Sequence, residues 1–315
     1  MTHGIPEGCI VHIMSPTDDG YRVTEVWESE DACQRFRSEI LRALIELVHP
    51  EGVLARNDVP LRRKEGLDTS VELLHGSVPD EVEVNEHGVR YLAAPWRGQK
   101  TGAFLDQREN RVLAGRVARG RALDCFSYHG SFALHLARRA DHVIALDASA
   151  HALTRAEENF RRNALPNGEF VEANAFEYLK ARERDRARFE TIVLDPPAFA
   201  KTRAALPAAL RGYKEINLRA MRILSPGGML FTASCSYHLT KSLFLEMLEQ
   251  AAADSGRRLV LRELRGQPLD HPEVVTIPDA HPDRVVLVHK SGAAQCAFLP
   301  EIRSRIAGAS TTAPN

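Results

Sequence analysis

The sequence predicts an α/β protein: a Rossmann-like, mostly parallel sheet of seven strands with helices on both faces, preceded by a smaller α+β domain. Two observations carry this. From residue 121 onward, seven short apolar runs, RALDCFSY, HVIALD, GEFVEAN, FETIVLD, GGMLFTASC, RLVLRELR and RVVLVHK, are mostly separated by helical segments, the rhythm of a doubly wound sheet. Before residue 95 the rhythm differs, with short strands around one long helix.

In the head, CIVHIM and YRVTEVW read as two strands joined by the turn SPTDDG. A helix follows from Ser29, with Glu and Asp in its first turn and Phe36, Ile40, Leu44 and Leu47 at helical spacing. Further strands lie near GVLARND and VEVNEHGVRYLAAP, so the head is expected to span 1–95. The basic connector WRGQKTGAFLDQRENR leads through a helix near 108–118 into the larger domain, 96–305. The tail 306–315 is small and polar, and expected to be disordered.

Length and composition bound the class. The 315 residues are 44% apolar and 26% charged, ordinary for a globular protein with a core needing no covalent staples. No run approaches the roughly 18 apolar residues of a membrane span, and MTHGIPEGCI has no signal-peptide pattern, so a cytoplasmic protein with no membrane partner is expected. The five cysteines are scattered and form no C-x-x-C pair, which argues against a disulfide framework and a metal site. A net charge of −1 argues against a general polyanion binder, while 62–64, 118–121 and Arg155, Arg161 and Arg162 offer local basic faces.

Ligands of doubly wound sheets sit beyond the carboxyl ends of the strands. RALDCFSY breaks at Gly130 before the helix SFALHLARR, where backbone can approach a ligand closely. About 20 residues on, the next strand ends in Asp147, the residue type and place that hold a ribose diol in nucleoside-binding folds; a helix N-cap is its structural alternative. The third strand ends at Asn174, whose amide suits an adenine edge or a plain loop. In LDPPAFAK two prolines stiffen the chain just after Asp195, leaving a rigid carboxylate at a strand end. FTASCSYHL sets Cys235 at another strand end.

GAFLDQRENR, DCFSYHGSFALHLA, LDPPAFAK, RGYKEIN and TASCS, in this order over about residues 50 to 290, resemble the S-adenosylmethionine-dependent cytosine-5 methyltransferases that act on large-subunit (23S) ribosomal RNA. The resemblance implies a class I methyltransferase fold, S-adenosylmethionine as cofactor and RNA as partner. It implies that the loop Asp124, Cys125, Phe126, Ser127 to Gly130 holds the methionine end, Asp147 the ribose and Asn174 the adenine, where the family often has Asp. Gln107 and Arg108 would close over the cofactor with Pro196 beside it; Asp195 would face the base and Cys235 would be the nucleophile, with Cys125 as packing. The chemistry agrees: cytosine C5 is a poor nucleophile until a thiolate adds to C6, and the base must leave its stack to reach the thiol.

The sequence also departs from the family. PEGCIVHIMSPTDDGYRVTEVWESEDACQRFRSEI stands where members commonly carry a small RNA-binding domain of the pseudouridine-synthase-associated type. It resembles the front half of a ferredoxin-like module of dimeric α/β-barrel proteins, which allows a homodimer. Some related RNA cytosine-5 enzymes have a second cysteine after the proline pair; Ala198 and Phe199 occupy that region here. Two alternatives stay open: N-methylation of guanine by a sister family with similar LD-x-R and DPP motifs, for which Cys235 has no use, and a non-catalytic cofactor-binding module of ribosome assembly.

Overall fold

A computed structural model describes residues 9–17, 20–27, 30–58, 62–63, 66, 68–98, 102–200, 202–236, 238–266 and 284–290, with backbone alone for 9–37, 40 and 284–290. The expected tail, 306–315, lies outside the described residues.

The larger domain is built on one seven-stranded sheet. Its strands are β7 (Arg121–Cys125), β8 (His142–Asp147), β9 (Gly168–Glu172), β10 (Phe189–Leu194), β11 (Leu224–Ser234), β12 (Leu259–Arg265) and β13 (Arg284–Lys290). They run in the order β12-β13-β11-β10-β7-β8-β9. The pairs β10/β11, β10/β7, β7/β8 and β8/β9 are parallel, and β13 is antiparallel to both β11 and β12. The order reverses between β7 and β10, so the ligand crevice opens over their carboxyl ends.

Side chains alternate across the sheet. Leu123, Ile144, Leu146 and Leu194 face α5 (Ala175–Arg184), α6 (Leu206–Ile223) and α7 (Lys241–Ser255) in one core. Ala122, Val143, Ala145 and Val193 face α2 (Arg108–Val117), α3 (Ser131–Ala137) and Phe160 of α4 (Ala150–Arg162) in the other. Each fully buried Leu or Ile contributes about 1.5–3 kcal/mol. Two expected strands end earlier than their apolar runs suggest: β7 stops at Cys125 and β11 at Ser234. Phe126, Tyr128 and Gly130 then adopt positive φ of 66°, 52° and 85°, which no strand accommodates.

The head comprises β1 (Cys9–Thr17) paired with β2 (Gly20–Trp27), α1 (Glu30–Val48), β3 (Gly52–Arg56) paired with β4 (Val71–Gly76), and the hairpin β5 (Val82–Glu86) with β6 (Val89–Ala93). Strand β4, within VELLHG, has no counterpart among the sequence expectations. The hairpin turns at His87 and Gly88, both at positive φ (50° and 79°), the conformation that two-residue hairpins favour.

Hairpin β5–β6 packs on the larger domain. Val89, Tyr91 and Ala93 belong to the same core as Phe132, Leu134 and Leu136. Asn159 of α4 accepts from the Leu92 amide at 2.9 Å and donates to the His129 carbonyl at 2.9 Å, so the hairpin braces the loop after β7. No helix among the described residues is long and apolar enough to cross a membrane.

Candidate functional site

Four strand ends deliver the expected residues to one rim. Asp124 lies within β7 and Asp147 ends β8; Asn174 follows β9 and Asp195 follows β10. Leu194 pairs with Thr232, so β11 outruns β10 and carries Cys235 beyond it.

Asp124 is buried, only 1% exposed: its Oδ2 accepts from Ser127 Oγ at 2.7 Å and from the Ala133 amide at 3.0 Å, while its buried Oδ1 has no hydrogen-bond partner. Burial pushes its carboxyl up to about 7, and the negative charges of Asp195 and Asp147 add to that push against the Ser127 bond. The Ser127 amide donates to the Leu146 carbonyl at 3.0 Å, fixing the bend. Gly130 is required by the fold itself: at φ 85°, a Cβ there would come within 3.0 Å of the Ala156 Cβ.

Asp147 holds this loop from the neighbouring strand. Its Oδ2 accepts from the Tyr128 amide and its Oδ1 from the Ser149 amide, each at 2.9 Å. Ser149, not Asp147, caps α4. Each carboxylate oxygen of Asp147 keeps a further lone pair for a hydroxyl. Asn174 does cap its helix: Oδ1 accepts from the Phe176 amide at 2.9 Å and the Glu177 amide at 3.4 Å, so the cap engages its oxygen and not its Nδ2.

Over the same rim lies the segment before α2. Gln107 is buried, and its Nε2 donates toward Asp195 Oδ1 at 3.5 Å while its Oε1 accepts from Asn110 Nδ2 at 2.8 Å. Arg265 Nε then donates to Asn110 Oδ1 at 2.8 Å, tying the segment to β12. The Gln107 amide is thereby oriented with its NH2 toward Asp195. Arg108, half-buried, opens α2.

The Cys235 thiol is half-buried and directed at the buried Pro196, donating to its carbonyl oxygen at 3.7 Å. Cys125 differs: it is fully buried, and burial pushes its thiol well above the ordinary range. Phe126 meets Phe199 of the proline loop edge-on, ring centroids 6.4 Å apart.

These residues fit S-adenosylmethionine. The cofactor carries a sulfonium, an α-ammonium and a ribose diol; the rim offers a buried, unpartnered carboxylate oxygen, two further carboxylates electrostatically coupled to it, and an acceptor pair on Asp147. Among the described residues, no group of three or more His, Cys, Asp or Glu is arranged to hold a metal ion.

Three contributors escape the sequence patterns. Asn110, three residues after Gln107 on the same helical face, carries the relay to Arg265. His129 is buried against Tyr91 and Tyr128 with centroids 5.1 and 4.6 Å away, and burial lowers it to about 3, so the ring is neutral. Tyr213, inside RGYKEIN, meets both serines flanking Cys235. The basic clusters prove largely engaged: Arg155 pairs with Glu81, Arg161 with Glu158, and Arg162 with Glu158 and Glu83.

Comparison with known proteins bears on the family and the fold. Residues 40–280 match the family model of S-adenosylmethionine-dependent methyltransferases. The protein named ribosomal RNA large subunit methyltransferase I of Aeromonas salmonicida (strain A449) is 38% identical over 269 residues, covering 84% of this chain and 68% of its own length. The protein of the same name from Pseudoalteromonas atlantica is 39% identical over 249 residues, 78% of this chain and 63% of its own. The chain thus spans about two thirds of the length of these relatives. Among solved structures, a methyltransferase complexed with SAH superposes with a TM-score of 0.71 at 22% identity, over 85% of this chain and 69% of that one. The Methanocaldococcus jannaschii tRNA m1G37 methyltransferase gives 0.58 at 14% identity, over 93% and 79%, which shows a shared fold.

Proposed function

The chain belongs to the family of S-adenosylmethionine-dependent methyltransferases, and from that premise we propose that it methylates C5 of a cytosine in large-subunit ribosomal RNA through a covalent bond between Cys235 and C6. The names of its relatives support the RNA; the single observation that carries the chemistry is the half-buried Cys235 thiol, on the rim shared with Asp195 and beside Pro196.

S-adenosylmethionine supplies the methyl group as an electrophile with a thioether leaving group. Asp124 and Asp147, through their carboxylates, and Asn174, through its Nδ2, would hold it at the carboxyl ends of β7, β8 and β9. Cys235, as thiolate, adds to C6 of a base drawn out of its stack; the C5–C6 π electrons move toward C4 and N3, and C5 becomes nucleophilic. Asp195, kept in place by the proline pair and by Gln107, hydrogen-bonds the ring where that charge develops. After C5 takes the methyl group, loss of its proton re-forms the double bond and expels the Cys235 thiolate.

The test uses RNA bearing 5-fluorocytosine at the target, where fluorine cannot leave as a proton does. A stable protein–RNA adduct mapping to Cys235 by mass spectrometry is expected, together with loss of methyl transfer in Cys235→Ala. Methylation without any adduct, or an active alanine variant, overturns the reading in favour of N-methylation.

A further inference from the structure

Cys235 is flanked by two serines, and both are bound to one phenol. Ser234 Oγ donates to Tyr213 Oη at 3.1 Å, and Tyr213 Oη lies 2.9 Å from Ser236 Oγ. Either hydroxyl can donate in the bond between Tyr213 and Ser236. Ser236 Oγ also accepts from the Ala200 amide at 3.1 Å, and the Ser236 amide donates to Ser234 Oγ at 3.2 Å. Tyr213 and Ser236 are 0% exposed and Ser234 is 1%, so water does not compete for these bonds.

The consequence is geometric. Of three successive side chains, the outer two are tied into the core and the middle one, the thiol, is left facing the rim. Through Ser236 and Ala200 the same network reaches LDPPAFA, the segment that carries Asp195. The Tyr213 ring packs at a tilt against Phe199 of that segment, centroids 4.6 Å apart. Helix α6 thereby holds the nucleophile and the base-facing carboxylate in one frame.

We propose that Tyr213 is a positioning residue for the methyl-transfer reaction: its hydroxyl, bound between Ser234 and Ser236, aims the Cys235 thiol and registers it against the Asp195 loop. This rests on Cys235 being the nucleophile. Packing needs only the ring, which Phe supplies against Phe199 and Phe244; registration needs the hydroxyl.

The experiment compares wild type with Tyr213→Phe and, separately, Ser236→Ala. For each, kcat is expected to fall about 10- to 100-fold, the loss that a misplacement near 1 Å produces. Adduct formation with 5-fluorocytosine RNA is expected to slow in parallel. Cofactor affinity and KM are expected to stay unchanged, as is alkylation of Cys235 by iodoacetamide, which is indifferent to aim. The double variant is expected to be no worse than the poorer single one, since both break one network. Undiminished kcat in Tyr213→Phe overturns the inference, as does a parallel loss of cofactor affinity, which marks a general scaffold role. An active Cys235→Ala protein instead removes the reading beneath it, so the two failures are distinguishable.

Discussion

Glu86 of the β5–β6 hairpin and Arg111 of α2 form a buried ion pair, with Arg111 Nε donating to Glu86 Oε1 at 2.7 Å. His135 and Tyr91 complete the carboxylate's partners at 3.0 and 3.1 Å, and Arg111 also donates to the Phe104 carbonyl at 2.7 Å, just before the segment that carries Gln107. Burial opposes the charge on Glu86, but the charge and hydrogen bonds of Arg111 outweigh it and hold the carboxyl well below its usual range.

Removing one partner strands the other in the core. Arg111→Met is expected to cost about 3–5 kcal/mol in chemical denaturation, with loss of cofactor binding as the Phe104–Gln107 segment loosens. Because the folded pKa of Glu86 is depressed, its contribution is present above the ordinary carboxylate pKa and lost as pH falls, so wild type should lose more stability in acid than the variant. A variant as stable as wild type would refute the role of the pair.

The hairpin also bears on where the catalytic unit begins. The rhythm of strands and helices changes near residue 95, yet a chain starting at 96 lacks Glu86, Val89 and Tyr91 from its core. Such a chain is expected to fold poorly, while one starting at residue 81 keeps cooperative unfolding and cofactor binding. Equal behaviour of the two would place the boundary at 95.

On the proposed function, Asp124 links cofactor binding to pH. Its carboxyl titrates near 3.8 when unfolded and about 7 when folded, so its contribution to stability is full below the unfolded value and lost as pH rises through the folded one. A cationic ligand favours the ionised form. S-adenosylmethionine is therefore expected to bind about tenfold more tightly near pH 8 than near pH 6, with proton release in calorimetry at the lower pH. Asp124→Asn should abolish that dependence; pH-independent binding in wild type would contradict the assignment.

Asp147→Ala should weaken cofactor binding by about 1–3 kcal/mol, the cost of leaving ribose hydroxyls unpaired. The same change frees the Tyr128 and Ser149 amides, so the melting temperature without cofactor should fall too. Calorimetry with unchanged affinity would take Asp147 out of the site.

The two cysteines, one ending β7 and the other just past β11, should part in reactivity. Under native conditions iodoacetamide is expected to modify Cys235 well before Cys125, which burial both shields and keeps protonated. Faster labelling of Cys125 in peptide mapping would reverse their roles.

By itself, the sequence determined the seven strands of the larger domain and the residues at or just past their carboxyl ends, because apolar runs are local signals, while the stops of β7 and β11 came from the structure. Asp147, Asn174, Asp195 and Cys235 were legible as strand-end residues for that reason. Only the tertiary structure decided what each end group touches. It made Ser149 the cap of α4, gave Asn174 Oδ1 to its own helix, and left Asp124 Oδ1 unpartnered. It also joined residues far apart in the chain, Gln107 to Asp195, Tyr213 to Ser236 and Glu86 to Arg111. Such pairings have no local period or spacing: they exist only once parallel strands and the helices over them bring distant side chains within hydrogen-bond reach, where burial makes each unmet partner costly.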